Sequence, residues 1–138
     1  GFDFDYEPGI DIPKVVIDRE AVSEAIVNLL DNAVKYSTET KFIKMIIGSE
    51  NNFVFIEVQD KGIGISEEDQ KKVFDKFYRV SSGLVHTTKG TGLGLSLVKQ
   101  IMDAHKGRIE LKSKVGEGSS FKLLFPKKSQ LNNGETNA

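Results

Sequence analysis

Asn28, Asn32 and Lys35 stand at i, i+4 and i+7, the spacing that lines residues up on one flank of an α-helix. Asn is a mediocre helix former, so two of them one turn apart ask for a reason beyond propensity. Carboxamide oxygens that help hold a hydrated hard cation such as magnesium would supply one. A solvated polar flank accounts for Asn28 or Lys35 taken singly just as readily. A second candidate is Asp60-Lys61-Gly62-Ile63-Gly64-Ile65, a carboxylate at the end of a β-rich run with glycines where the backbone must turn sharply. A plain strand-to-loop turn explains that segment as well. The third is Gly90-Thr91-Gly92-Leu93-Gly94-Leu95, which runs straight into a helical pattern. Exposed backbone amides and the helix dipole would converge there on an anion, with phosphate the natural guest. A flexible hinge is the competing reading. These glycines fit neither common nucleotide design: a dinucleotide fingerprint would need a glycine at Leu95, and no Gly-x-x-x-x-Gly-Lys-Ser/Thr run occurs.

Positioning these residues falls to a pattern of short elements. Phe2 to Tyr6 alternates aromatic and acidic residues and reads as an edge strand before the Pro8-Gly9 turn, and Lys14 to Ile17 is a second short strand candidate. Asp18 is placed to cap a helix from about Arg19 to Tyr36, whose apolar stripe is Val22, Ile26, Leu29, Leu30 and Ala33. Phe42 to Ile47 and Phe53 to Gln59 flank a run of turn formers, Gly48 to Asn52, and predict an antiparallel hairpin. Ser66 followed by Glu67, Glu68 and Asp69 starts a short helix reaching about Phe74. Tyr78 to Lys89 has no clear period and reads as a long mobile loop. Helical spacing returns at Leu93 and ends at Gly107, the expected C-cap, before a closing hairpin of Arg108 to Lys112 and Phe121 to Phe125. The order predicts an α+β fold, a two-layer α/β sandwich with helices on one face of a mixed sheet.

Whole-chain quantities narrow the function classes. The 138 residues suit one domain, expected over 1–128, with a polar and disordered tail at 129–138. Nineteen basic residues against twenty acidic leave a net charge of -1, so no basic field draws in nucleic acid or an anionic membrane surface. The absence of cysteine excludes disulfides, thiolate metal sites and a cysteine nucleophile, and two histidines alone do not build a zinc site. No apolar run approaches the ~20 residues that span a bilayer, and the N-terminal residues lack a signal-peptide pattern, so the chain is expected to be soluble without membrane contact.

Taken together, the motifs resemble the ATP-binding domain of sensor histidine kinases, in the superfamily shared with gyrase, mismatch-repair ATPases and a heat-shock chaperone. Asn28 to Tyr36 looks like the N box, Asp60 to Gly64 like the first glycine box, Phe74-Asp75-Lys76-Phe77-Tyr78-Arg79 like the F box, and Gly90 to Leu95 like the second glycine box, in the family's order. The resemblance runs from about Lys14 to Pro126. It implies a two-layer fold of the Bergerat type with a mobile ATP lid from Arg79 to Lys89, hinged by Gly90, Gly92 and Gly94, with Phe74 and Phe77 packed at its root. Asn32 would bind magnesium, Asn28 would help hold the phosphate end, and Lys35 and Tyr36 would contact phosphates or sugar. Asp60 would accept the adenine amino hydrogen, Gly62 and Gly64 would let the backbone approach the base, and Ile65, Thr91, Leu93 and Leu95 complete the nucleotide-binding set. Arg79, Lys35 and Asn28 are the candidate catalytic residues.

Asn28 stands where the ATPases of the superfamily use a glutamate as general base, and an amide cannot take that proton. Kinase chemistry is therefore favoured over hydrolysis. Neither His86 nor His105 is followed by an acidic residue, as a phosphoacceptor histidine would be. The resemblance thus implies that this chain is a fragment. Its partners would be a histidine-containing dimerisation domain of the same protein and a response regulator downstream, and its location the cytoplasmic part of a sensor. A nucleotide-responsive binding module without phosphotransfer is the alternative.

Overall fold

The computed structural model describes residues 2–75 and 94–128. Five strands form a single mixed sheet: β1 (Asp3–Glu7), β2 (Phe42–Glu50), β3 (Phe53–Asp60), β4 (Arg108–Lys114) and β5 (Gly118–Pro126), in the spatial order β1-β2-β3-β5-β4. β1 runs parallel to β2, and every other pairing is antiparallel. Three helices complete the described chain: α1 (Arg19–Lys35), α2 (Glu67–Gln70) and α3 (Gly94–Ala104). This is the two-layer α+β sandwich that the order of elements predicts.

α1 forms where the sequence places it. Asp18 is its N-cap in extended conformation, and its Oδ1 accepts from the Ala21 N–H at 3.1 Å, satisfying one of the orphan donors of the first turn. Val22, Ala25, Leu29 and Ala33 are the buried stripe, and Leu29 is among the most deeply buried side chains. Burying a leucine of this kind contributes about 1.5–3 kcal/mol. α1 packs on α3, and together they cover one face of the sheet through Ile43, Val58, Phe121, Leu123 and Phe125.

The other face carries no helix among the described residues. Period-two alternation puts charge there: Lys44 pairs with Asp5 and Glu7, Lys122 pairs with Glu50, and Ser120 donates to Glu57. The hydrogen bond and charge of Glu7 hold the Lys44 ammonium above the usual lysine range. Three phenylalanines on this side lie under cations, Phe42 under Lys61 at 4.8 Å, Phe53 under Arg108 at 5.0 Å and Phe55 under Lys122 at 4.2 Å.

Four expectations change. The short helix expected to reach about Phe74 ends at Gln70, with Lys71 to Phe74 in turns. Lys14 to Ile17 is not a strand; between Pro13 and the Asp18 cap it makes one isolated bridge, Val15 to Lys127. In the first hairpin the strands run through Gly48 to Glu50, and the turn contracts to Asn51 and Asn52, with Asn51 in the left-handed region at φ 49. Gly48 serves the sheet instead of the turn, since a Cβ there would lie 2.7 Å from the Phe55 ring. At the end of α3 the left-handed residue is Lys106 (φ 56), not Gly107. Lys106 N–H reaches Asp103 O at 3.1 Å and Gly107 N–H reaches Met102 O at 2.9 Å, which is a Schellman ending. Gly107 is required for space, because a Cβ would lie 2.4 Å from Leu124 O. The expected lid, with Phe77, Arg79, Gly90, Thr91, Gly92 and Leu93, and the tail at 129–138 lie outside the described residues.

Candidate functional site

Three segments far apart in sequence meet at the C-terminal ends of α1 and β3 and the start of α3. Tyr36, the C-cap of α1, accepts from the Ile63 N–H at 3.0 Å through its carbonyl, and Thr38 Oγ1 donates to Lys61 O at 3.2 Å. These bonds clamp the loop after β3 to the end of α1. Gly62 is what permits the clamp, since a Cβ would stand 2.3 Å from Tyr36 O. Gly64, at φ +76, presses on β4, where a Cβ would meet Lys114 O at 2.1 Å. The backbone that both glycines admit most closely is the protein's own, which motif reading aimed at a base did not foresee.

Asp60 ends β3 half-buried. Its Oδ1 accepts from Gly62 N–H at 2.8 Å and Ser119 N–H at 3.2 Å, while Oδ2 has no hydrogen bond among the described residues. No fully buried side-chain oxygen or nitrogen lacks a partner among the described residues, so this second oxygen is reached by solvent. Burial pushes the Asp60 carboxyl above its ordinary value, and the two backbone N–H groups oppose that rise without cancelling it. A carboxylate anchored through one oxygen, with the other open, is a fixed acceptor that suits an exocyclic amine.

On α1, the flank of Asn28, Asn32 and Lys35 turns away from the stripe that packs the core. Asn28 Nδ2 donates to Glu24 O at 3.0 Å, which orients the carboxamide and leaves Oδ1 facing α3. A Cβ on Gly94 would lie 3.3 Å from that oxygen. The described start of α3 therefore abuts the polar flank of α1. Asn32 is half-buried and its carboxamide makes no hydrogen bond among the described residues. One free carboxamide oxygen fits magnesium, which takes few protein ligands and fills its shell with water and phosphate oxygens. No cluster of three His, Cys, Asp or Glu residues capable of holding a metal occurs among the described residues, so a protein-only cage is not on offer there. Lys35 is exposed and, among the described residues, makes a loose 3.8 Å pair with Asp31.

Other expected site residues divide. Tyr36 and Leu95 are half-buried against the core, and Ile65 is buried within it at 5 % exposure. The Ile65 N–H donates to Ser113 Oγ at 2.7 Å. Ser113 and Ser119 were missed by motif reading, as serines in a terminal hairpin carry no signal until the fold sets them beside Asp60. His105 is structural: Nδ1 lies 2.7 Å from Ile101 O, Nε2 accepts from the Asp18 N–H at 2.9 Å, and the ring meets Phe125 edge to face.

Known proteins resemble this chain in sequence and in fold. Residues 17–129 match the family described as histidine kinase-, DNA gyrase B-, and HSP90-like ATPase. The chain is 43% identical over 116 residues to the sensor protein RprX of Bacteroides fragilis, covering 83% of this chain and 22% of that one. It is 42% identical over 109 residues to the sensor protein CiaH of Streptococcus pneumoniae, covering 79% and 24%. The chain therefore spans about a quarter of the length of these curated relatives. Among solved structures, a mycobacterial sensor histidine kinase, MprB, superposes with a TM-score of 0.77 at 25% identity, over 90% of this chain and 84% of that one. The catalytic domain of histidine kinase ThkA superposes at 0.72 with 31% identity, over 90% and 80%.

Proposed function

This chain belongs to the family of histidine kinase-, DNA gyrase B- and HSP90-like ATPases, and from that premise we propose that it binds ATP with magnesium and presents the γ-phosphate to a histidine on a separate helical domain. The observation that carries this reading is the half-anchored Asp60 carboxylate, held by Gly62 and Ser119 with one oxygen open. The open oxygen would take the adenine amino hydrogen. Guanine has a carbonyl at the equivalent place, so it would forfeit the hydrogen bond and meet a repelling acceptor. Asn32 would hold magnesium, which when bound would neutralise phosphate charge. Asn28 and the first amides of α3 would hold the phosphate end, with Lys35 nearby. Asn28 has no proton-accepting nitrogen or carboxylate, which disfavours water activation and leaves the terminal phosphate for another acceptor.

The relatives named as sensor proteins extend well beyond the matched region, which is 22% and 24% of their lengths, and this supports a larger parent carrying a histidine-containing dimerisation domain and signalling to a response regulator. No helix among the described residues is long and apolar enough to cross a membrane. We place this part of the parent in the cytoplasm, where ATP is found. Arg79 would assist transfer from the lid root. The test is titration calorimetry with ATP and GTP, followed by incubation with labelled ATP and a separately supplied histidine-hairpin domain. Binding without transfer would favour a nucleotide-responsive module, and equal affinity for both nucleotides would remove the role of Asp60.

A further inference from the structure

A serine on β4 is the hub of the hydrogen bonds behind Asp60. Ser113 Oγ accepts from the Ile65 N–H at 2.7 Å, donates to Gly118 O at 3.0 Å and lies 2.7 Å from Ser119 Oγ. A hydroxyl has one proton and two acceptor sites. With its proton given to the Gly118 carbonyl, Ser113 can meet Ser119 only as acceptor, so the Ser119 proton points to Ser113. All three of the hub's bonds are then satisfied, and Ser119 Oγ is left able only to accept. Ser119 N–H in turn donates to Asp60 Oδ1, and the Asp60 carbonyl stands so close to Gly118 that a Cβ there would lie 2.1 Å from it. Gln70 closes the far side, its Nε2 donating to Ile65 O at 2.8 Å and Ser113 O at 3.2 Å. One hydroxyl thus ties the glycine loop, the β4–β5 turn and the strand that orients Asp60.

We propose that Ser113 is a positioning residue for purine selectivity: it fixes the rotamer of the Asp60 carboxylate through Ser119 and the height of the Gly62–Ile65 loop through the Ile65 amide. This rests on the ATP reading above. Ser113 touches no nucleotide in this scheme. Its loss frees the Ser119 hydroxyl to rotate and to donate where it now only accepts. Adenine loses its preorganised partner while guanine, which never had one, loses nothing.

The test compares ATP and GTP affinities by calorimetry in the unaltered protein, Ser113→Ala and Ser113→Thr, with thermal melts of each. Ser113→Ala should weaken ATP about tenfold, the scale of one to two lost hydrogen bonds, while GTP changes by less than about twofold. Ser113→Thr, which keeps the hydroxyl on a β-branched side chain suited to a strand, should restore the ATP preference. If the alanine variant does not fold, Ser113→Cys keeps the volume with far weaker hydrogen bonding and carries the same expectation. An unchanged ATP to GTP ratio in a folded variant, or equal loss of both nucleotides with a lowered melting temperature, overturns the proposal while leaving the ATP reading intact. If the unaltered protein itself shows no preference for ATP, the role of Asp60 and this proposal fall together, while ATP binding is judged by the titration itself.

Discussion

The proposed function asks Asp60 to be two things that conflict, a charged acceptor for a base and a half-buried side chain. Two backbone donors on Oδ1 reduce the cost of burying the charge, yet burial still raises its pKa. The sign follows for binding and folding separately. Between the unfolded carboxyl value and the raised folded one, the native state holds the extra proton. The stability this proton provides is fully present below the unfolded pKa and is lost as pH rises through the folded pKa. Nucleotide binding needs the ionised form, so ATP affinity should fall as pH is lowered through that same window, above the ordinary carboxylate value. GTP affinity should change less, and parallel pH profiles for both nucleotides would contradict the assignment. Asp60→Ala should weaken ATP roughly 10- to 150-fold, from the ~1.5–3 kcal/mol of a hydrogen bond to a charged group, and should flatten the pH profile. Asn32, whose carboxamide is uncommitted among the described residues, should behave differently. Asn32→Ala should weaken ATP strongly with magnesium present and little in EDTA, with the helix intact because the position lies off the buried stripe. Equal losses in both buffers would take the metal away from this residue.

At the level of elements, the ends decide more than the middles. α1 was legible because its cap, its stripe and its lack of glycine or proline agree, and the observed Arg19–Lys35 differs from the expected span by one residue. The end of α3 was less legible: glycine is the usual left-handed residue, but here a lysine takes that conformation because the next position has no room for any side chain. Gly107 cannot serve both needs, so Lys106 carries a backbone conformation that costs an L-residue roughly 1–2 kcal/mol. Lys106→Gly relieves that strain and gives back part of it as chain entropy. It should raise stability by about 0.5–1 kcal/mol, or about 3 °C in melting temperature, with ATP affinity unchanged. A lowered melting temperature would mean that the lysine side chain contributes more than its backbone costs. The false strand at Lys14 to Ile17 has a related origin. Val15, Val16 and Ile17 are good strand formers, but the chain must reach the Asp18 cap, which His105 holds from the end of α3. Tertiary attachment overrode local propensity there. The hub at Ser113 was not legible at all, because its partners Ile65 and Ser119 acquire meaning only through the β4–β5 register.

For the molecule as a whole, the layered plan separates binding from delivery. The helical layer and the strand ends carry the proposed nucleotide site, while the opposite sheet face is a ladder of ion pairs and cation-covered phenylalanines suited to water. Neither histidine is a plausible acceptor for the phosphoryl group on structural or sequence grounds: His105 has both ring nitrogens engaged, and His86 lacks the acidic neighbour. The isolated chain should therefore acquire no label from γ-labelled ATP, whereas a histidine-hairpin domain supplied in trans should become labelled in a magnesium-dependent way. Transfer spreads negative charge over the moving group, so a cation that arrives with the acceptor is worth most in the transition state and little in the ground state. Arg79, closing the F box, is assigned that part. Arg79→Ala should keep ATP affinity within about threefold while labelling of the hairpin falls tenfold or more, about 1.4 kcal/mol of barrier. If binding and labelling fall in equal measure, or labelling proceeds at the normal rate, the transition-state cation is not Arg79. Lys35, exposed beside the Asn28 and Asn32 flank and only loosely paired with Asp31, then becomes the group to replace.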